Sequence, residues 1–362
     1  MKANLNLGSV FGIKIKVHWT FIFLIIWIIF SELKRGGNKV SILFNIALVL
    51  AVFVCVILHE LGHALTAKYF GIETKQITLL PVGGMASLER IPESPKQELL
   101  VTLAGPLVNI IIAVLLYFII PVQELMQLNF TETLETLSSF TLLNFLFYLY
   151  IVNIALVVFN AIPAFPMDGG RILRALLAIK INRVKATQIA STIGQIIAVL
   201  FLLIGLLYNP ILIFIALVIF LGAYGENQMV QHMAILKGHT VKESVITNIT
   251  TFSPKDPLKE VIKVIISGTE NNFIILENDA IKGLLYYQDI IENAKNENTL
   301  VKDIMNTSFK TVKGEDDLNK VYQLIHSQKN SFFPVLENGK LVGAIDSVNL
   351  NEFILFQPKL VF

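Results

Sequence analysis

Long apolar runs alternate with short charged breaks over the first 225 residues. The runs fall at roughly 15–33, 41–67, 97–120, 138–160, 187–208 and 210–226. Each approaches the length of about 20 residues that a helix needs to cross a bilayer. The pattern therefore predicts six membrane helices, the last two joined by the tight reversal Tyr208-Asn209-Pro210. From about residue 239 the pattern changes to short β-rich runs carrying charges and Asn. An offset of 60 residues relates two stretches of this region without a gap. Val241-Lys242 matches Val301-Lys302, Thr251 matches Thr311, Asp256 matches Asp316 and Leu258 matches Leu318. Ile265 and Ser267 recur at Ile325 and Ser327, Leu276-Glu277-Asn278 at Leu336-Glu337-Asn338, and Gly283 at Gly343. Each unit reads strand, helix, strand, strand, helix, with hairpin signals at Asn278-Asp279 and Asn338-Gly339. Two such units that bury their apolar faces against each other make one small α/β module. The expected organisation is a membrane α-helical domain over 1–226, a linker over 227–238, and repeats over 239–300 and 301–362.

Composition sharpens this picture. The 362 residues are 54% hydrophobic and 15% charged, against about 25% charged in a soluble chain. A single soluble domain is excluded. The net charge of +2 supplies no field for nucleic acid. The one cysteine, Cys55, lies in an apolar run and can make neither an internal disulfide nor a thiolate zinc site. No small-residue cleavage signature follows the first apolar run, which reads as a retained helix. Lys14 and Lys16 precede the first run, and Lys68, Lys75, Arg90 and Lys96 follow the second. Arg171, Arg174, Lys180, Arg183 and Lys185 follow the fourth, whereas the loop 121–137 carries Glu124, Glu132 and Glu135 and no Lys or Arg. Lys34, Arg35 and Lys39 are the exception to the positive-inside rule. The count predicts a multi-pass protein of the cell membrane with both termini and the repeats in the cytoplasm.

The second run contains His59-Glu60-Leu61-Gly62-His63. Residues at i and i+4 share a helix face, so both imidazoles can reach one Zn²⁺, and Glu60 between them can take a proton from an attacking water. Ionisable groups are expensive in a bilayer and functional by default; hydrogen bonding within a helix bundle is the bland alternative. Catalytic zinc usually takes three protein ligands. The best third ligand is Asp168, in Asn160-Ala161-Ile162-Pro163-Ala164-Phe165-Pro166-Met167-Asp168-Gly169-Gly170-Arg171. Pro163 and Pro166 stop the helix and force extended backbone, tolerated at membrane depth where it lines a cavity. Asp168 would then reach the site on a non-helical segment, with Gly169-Gly170 permitting close approach. Its alternative role is the N-cap of a helix starting at Gly169. Asn160 could donate to a developing oxyanion, or simply cap its helix.

At these residues the chain resembles the site-2 protease family of intramembrane zinc metalloproteases. The family pattern is HExxH in one span and N-x-x-P-x-x-P-x-D-G in a later one, and both are intact, with Met167 where the family often has Leu. The resemblance implies one zinc per chain held by His59, His63 and Asp168, Glu60 as general base, and cleavage inside a substrate's membrane helix. Leu80-Pro81-Val82-Gly83-Gly84-Met85-Ala86-Ser87 looks like the family's glycine hairpin, whose edge at Gly83 and Gly84 could hold an unwound substrate by strand addition; an ordinary β-turn is the alternative. Ala104-Gly105-Pro106-Leu107-Val108-Asn109 also resembles a family signature. Its residues read as small-residue packing with a proline kink, without chemistry. His18, beside Trp19, reads as interfacial. By the same resemblance the substrates are single-span membrane proteins, such as anti-sigma factors or other membrane-tethered regulators.

The repeated unit resembles a tandem pair of cystathionine-β-synthase (CBS) domains. Such modules often bind adenine nucleotides between repeats, regulate the protein they are attached to, and can pair two chains. The family's G-x-[IV]-[TS]-x-x-D segment becomes Gly283…Tyr286…Asp289 in the first repeat and Gly343…Asp346…Asn349 in the second. One nucleotide site through Asp289 is expected, not two, because an Asp at the hydroxyl position repels phosphate. A purely structural module is the alternative. For the whole chain, the competing class is a transporter or channel gated by the CBS pair. It leaves HExxH and Asp168 unexplained, and the six runs show no inverted repeat. An inactive metal-binding relative is a third reading, opposed by the intact Glu60.

Overall fold

The computed structural model describes residues 4–81, 83–88, 92, 94–123, 140–327 and 331–357. The chain divides into two units, Met1–Gln228 and Met229–Phe362. In the first, strands β1 (Asn4–Val10), β2 (Ile13–His18), β3 (Thr74–Leu80) and β4 (Gly83–Leu88) form one sheet in that order. The β2–β3 pair is parallel and the other two are antiparallel. The described helices are α1 (Phe21–Lys34), α2 (Lys39–Tyr69), α3 (Pro95–Ile119), α4 (Leu142–Asn160), α5 (Asp168–Ala178), α6 (Arg183–Leu207) and α7 (Pro210–Leu236). Five of these, α2, α3, α4, α6 and α7, are long and apolar enough to cross a membrane. The reversal at Tyr208-Asn209-Pro210 joins α6 to α7 as the sequence suggests.

The first predicted span differs. Residues 15–18 belong to β2, and α1 has only 14 residues. At about 1.5 Å per residue it is roughly 21 Å long, short of the ~30 Å hydrocarbon core. Ile13, Ile15 and Val17 alternate with Lys14 and Lys16, a period of two that belongs to a strand. Because β2 and β3 are hydrogen-bonded neighbours, the chain leaves the sheet on α1 and returns to it on α2. Phe21 meets Phe53 edge-on with ring centroids 4.7 Å apart, so α1 lies along the N-terminal half of α2. On the C-terminal half the sheet packs instead, with Ile13 and Ile77 on Leu61 and Ala64.

Local sequence sets the ends of α2. Asn38 caps the start, its Oδ1 accepting the N–H groups of Val40 and Ser41 at 2.9 Å each. At the other end Gly71 takes φ +73°, with Ile72 N–H donating to Ala67 O and Gly71 N–H to Lys68 O. That is a Schellman stop, which returns the chain directly into β3.

The second unit bears out the repeat. Strands β5 (Thr251–Phe252), β6 (Phe273–Glu277) and β7 (Ala280–Leu285) surround α8 (Leu258–Ser267) and lead to α9 (Tyr287–Asn293). After the short α10 (Val301–Ile304), the same order returns as β8 (Val312–Lys313), α11 (Leu318–Ser327), β9 (Phe332–Glu337), β10 (Lys340–Asp346) and α12 (Ser347–Phe356). Each repeat builds its own three-stranded sheet. Both hairpins turn where expected: Asn278, Asp279, Asn338 and Gly339 all have positive φ, as type I′ turns require. The two halves are stitched reciprocally. Ile246 and Ala344 exchange backbone hydrogen bonds, and so, 60 residues on and back, do Asn306 and Leu284. This explains the recurring glycine. A Cβ at Gly283 would lie 3.0 Å from Asn306 O, and one at Gly343 would be 2.8 Å from Val245 Cγ2 and closer still to Ile246 O.

Candidate metal centre

His59 and His63 point from one face of α2, four residues apart and both more than nine-tenths buried. Their Nε2 atoms lie 3.1 Å from each other, and 3.2 and 3.3 Å respectively from Asp168 Oδ2. The other ring nitrogens are engaged: His63 Nδ1 lies 2.8 Å from Val101 O, and His59 Nδ1 lies 2.5 Å from Asn109 Oδ1. A backbone carbonyl only accepts, so His63 carries its proton on Nδ1 and turns a lone pair inward. Asp168 Oδ2 is buried with no hydrogen-bond donor. Acceptor atoms thus converge with nothing between them to share, and a cation resolves the conflict. The donor set suits zinc: a tetrahedron with bonds of about 2.0–2.1 Å has edges of roughly 3.3–3.4 Å.

Asp168 arrives differently from the sequence expectation. Helix α4 stops at Asn160, residues 161–167 are irregular with a cis Phe165–Pro166 bond, and Met167 is the N-cap. Asp168 is therefore the first helical residue of α5, neither on a non-helical segment nor an N-cap. Its carboxylate is free to face the histidines because it caps nothing. The glycines behind it do permit close approach: a Cβ at Gly169 would lie 2.6 Å from Ala161 O, and one at Gly170 2.6 Å from Phe165 N. Asn160 is half-buried at the end of α4, one residue before that contact.

Glu60 is half-buried beside the histidines. The backbone of β4 lies on it, since a Cβ at Gly84 would stand 2.8 Å from Glu60 Cγ and 3.3 Å from Oε1. β4 is an edge of the sheet. The predicted hairpin is thus a strand pair, and its glycines carry the open edge to the acid. Val82 lies outside the described residues.

The segment Ala104–Asn109 does more than pack. A Cβ at Gly105 would stand 2.8 Å from His59 Nε2 and closer to the His63 ring, so this glycine leaves the imidazoles their room. Asn109, wholly buried, meets His59 as above. The signal was a lone Asn in the charge-free stretch 99–119 of α3, four residues from a glycine. Arg174 is a second correction. Counted with the flanking loop charges, it is 0% exposed. It donates through Nε and Nη2 to Glu98 Oε1 and through Nη1 to Glu226 Oε1, and stacks 5.0 Å over the Phe165 ring. Arg183 Nη2 lies 3.4 Å from Glu98 Oε2, and its Nη1 donates to Pro92 O at 2.5 Å. This buried network ties α5 to α3, α6 and α7. His18 instead meets Thr20 Oγ1 at 2.7 Å, outside the metal cluster. Asp289 sits in the first turn of α9, partly exposed. Glu124, Glu132 and Glu135 lie outside the described residues.

Comparison with known proteins agrees with this geometry. The family model for peptidase family M50 matches residues 47–205, and the CBS-domain model matches 301–355. A zinc metalloprotease of Methanocaldococcus jannaschii is 33% identical over 351 residues, covering 97% of this chain and 96% of the relative. Stage IV sporulation protein FB of Bacillus subtilis is 31% identical over 141 residues, 39% of this chain and 43% of that one. The solved site-2 protease of M. jannaschii is similar at 38% identity and a TM-score of 0.45, covering 62% of this chain and 95% of the other. With a buried HExxH pair facing an aspartate across five membrane-capable helices, and near-complete coverage by a zinc metalloprotease, this chain belongs to peptidase family M50, the site-2 proteases, and is a multi-pass membrane zinc metalloprotease with a CBS region at its C-terminal end.

Proposed function

We propose that the protein hydrolyses peptide bonds within the membrane helices of single-span proteins, regulators such as membrane-tethered anti-sigma factors among them. The observation that carries this reading is the convergence of His59 Nε2, His63 Nε2 and Asp168 Oδ2 within 3.3 Å of one another, beside Glu60. One zinc held by these three residues would supply a Lewis acid for the scissile carbonyl and acidify the attacking water. Glu60 takes the proton from that water and returns it to the leaving amine. Asn160 donates to the oxyanion from the end of α4. Gly83 and Gly84 present the open edge of β4, where an unwound substrate segment adds as a further strand within reach of Glu60.

Strand addition has a physical motive. A helical substrate shields its carbonyls and has already spent their hydrogen bonds. Pairing with β4 replaces those bonds as the helix opens, next to the acid that uses the exposed carbonyl. The basic flanking residues support a cytoplasmic position for both termini and the CBS pair, with α7 leading into the second unit. The CBS pair modulates cleavage. It takes one adenine nucleotide near Asp289, because the equivalent groups of the second repeat serve one another: Asp346 Oδ1 accepts Asn349 N–H at 2.8 Å and Asn349 Oδ1 accepts Ser244 Oγ–H at 3.1 Å. Leu355 and Phe356 are 78% and 87% exposed on α12, apolar surface suited to pairing two copies.

The test is Glu60→Gln in the full chain, with a single-span reporter substrate in lipid vesicles. Cleavage should fall about 10²–10⁴-fold while zinc content stays at one per chain. Full cleavage by the variant would overturn the assignment of Glu60. Zinc-independent ion flux without cleavage by the wild type would replace the reading with a transporter.

A further inference from the structure

We infer that Asn109 and Asn153 form a directional hydrogen-bond relay that fixes the His59 tautomer and so presents its Nε2 lone pair to the metal. The chain of contacts begins far from the site. Asn153 Nδ2 lies 2.8 Å from Leu149 O, a backbone carbonyl one turn back on α4, and 3.5 Å from Cys55 Sγ. A carbonyl cannot donate, so the amide nitrogen of Asn153 must face it. The opposite rotamer would set two oxygens against each other in a fully buried place, at the cost of an unmade bond. Asn153 Oδ1 therefore points at Asn109, whose Nδ2 donates to it at 2.8 Å. That contact in turn sets Asn109, leaving Oδ1 for His59 Nδ1 at 2.5 Å. An amide oxygen only accepts, so His59 keeps its proton on Nδ1. The direction is dictated at each link by an atom with a single hydrogen-bonding role, and no net protonation changes along the way.

Both asparagines are 0% exposed, on two different helices, α3 and α4. An apolar pair would pack such a place without desolvation cost. Their polarity is accounted for by His59, the imidazole at the end of the relay. His63 achieves the same end by a shorter route, through Val101 O. The molecule thus carries an internal control, two ligands of one motif whose tautomers are set by independent partners. Asn109 and Asn153 are positioning residues, since neither touches the metal or the substrate.

The inference rests on His59 as a zinc ligand, but its main readout needs neither metal nor turnover. Histidine ¹⁵N signals of the full-length, zinc-free protein in lipid, above the pH where imidazoles are charged, report the tautomer directly. The wild type should show His59 and His63 both protonated on Nδ1. Asn153→Leu frees Asn109 to rotate, so the His59 signal should shift to a mixture while His63 stays, which also certifies the fold. In chelator competition, Asn109→Leu should weaken zinc about 10–100-fold, and Asn153→Leu by a smaller factor. His59 protonated on Nε2 in the wild type overturns the relay without any variant. So does an unchanged His59 signal with unchanged zinc affinity in Asn153→Leu. Absence of zinc binding by the wild type would sink the proposed function, yet the tautomer would still decide the relay.

Discussion

The two units bury opposite kinds of side chain. In the membrane unit His59, His63, Glu98, Asn109, Asn144, Asn153, Asp168 and Arg174 are all buried. Among the described residues of the second unit, Ser244 and Tyr322 are the buried side chains that carry a polar atom, and the two larger cores are otherwise made of Leu, Val, Ile and Phe. A bilayer makes buried polarity costly unless every group has a partner. Most of these groups meet that cost in two clusters, the candidate metal centre with Asn109 and Asn153, and Arg174 with its carboxylates. The CBS unit shows what a fold looks like when only packing is required. Its symmetry holds in glycines, turns and backbone bonds, while the polar positions differ between repeats, Tyr286 and Asp289 against Asp346 and Asn349. Where polarity is buried, one change should remove a function; where it is not, one change should remove only stability.

Removing a ligand should break the comparison most sharply. Asp168→Ala should take zinc from one per chain to well below it by mass spectrometry, since a third protein ligand is what closes the site. The CBS unit should melt as before. Next comes Arg174→Met. The substitution takes the guanidinium from Glu98, which is buried, and from Glu226, which is half-buried, and leaves Glu98 with Arg183 at 3.4 Å. Breaking a buried pair in this way costs about 3–5 kcal/mol, visible as an early melting step of the membrane unit. Arg174→Met combined with Glu98→Gln and Glu226→Gln should recover much of that loss, because the carboxylates that lose Arg174 are then neutral; Arg183, which gives up its ionic contact with Glu98, keeps the recovery partial. A triple variant no more stable than the single one would mean that Arg174 acts through packing on Phe165 instead.

The candidate ligands were legible because each sits in a motif with a distinctive spacing: His59 and His63 on one helix face, Asp168 after two prolines and before two glycines. Their supports were not. Asn109 is one amide in the apolar stretch 99–119 of α3, and only the tertiary neighbour, His59, gives it meaning. Arg174 is hidden by its position in a basic stretch of which Arg171, Lys180 and Lys185 are exposed as a topology count assumes, with Arg183 half-buried. Glu98 and Glu226, which neutralise it, lie 76 and 52 residues away. The strand at 13–18 failed for a different reason. A window wide enough to find a span averages away the alternation of Ile13, Lys14, Ile15 and Lys16. In the second unit the repeat itself was the signal, since sixty-residue symmetry requires both halves to have the same elements.

Smaller effects should follow in the CBS unit. Gly343→Ala places a methyl group against the strand segment at Val245–Ile246 that stitches the halves together. Overpacking of this kind costs about 1–3 kcal/mol, seen in the melting of the second unit. Zinc content and the His59 tautomer should be unchanged. A fall in zinc would show that the two units are not separable in the way their burial suggests.

The smallest effect tests a single exposed carboxylate. Thr240 and Glu243 form a capping box over the short 3₁₀ turn Val241–Ser244. Thr240 N–H donates to Glu243 Oε1 at 2.9 Å, and His239 Nδ1 lies 2.7 Å from Oε2. The backbone N–H first, and the histidine second, favour the charged form and hold Glu243 below its ordinary value of 4.5. A depressed acid stabilises the fold above its unfolded pKa, and the contribution is lost as pH falls through the folded value. The gap in melting temperature between wild type and Glu243→Ala should therefore be full at neutral pH, begin to narrow as the pH falls below about 4.5, and close at lower pH. A gap that widens on acidification would mean that the neutral acid is the better cap. Either way, zinc content should not respond, because nothing buried changes with it.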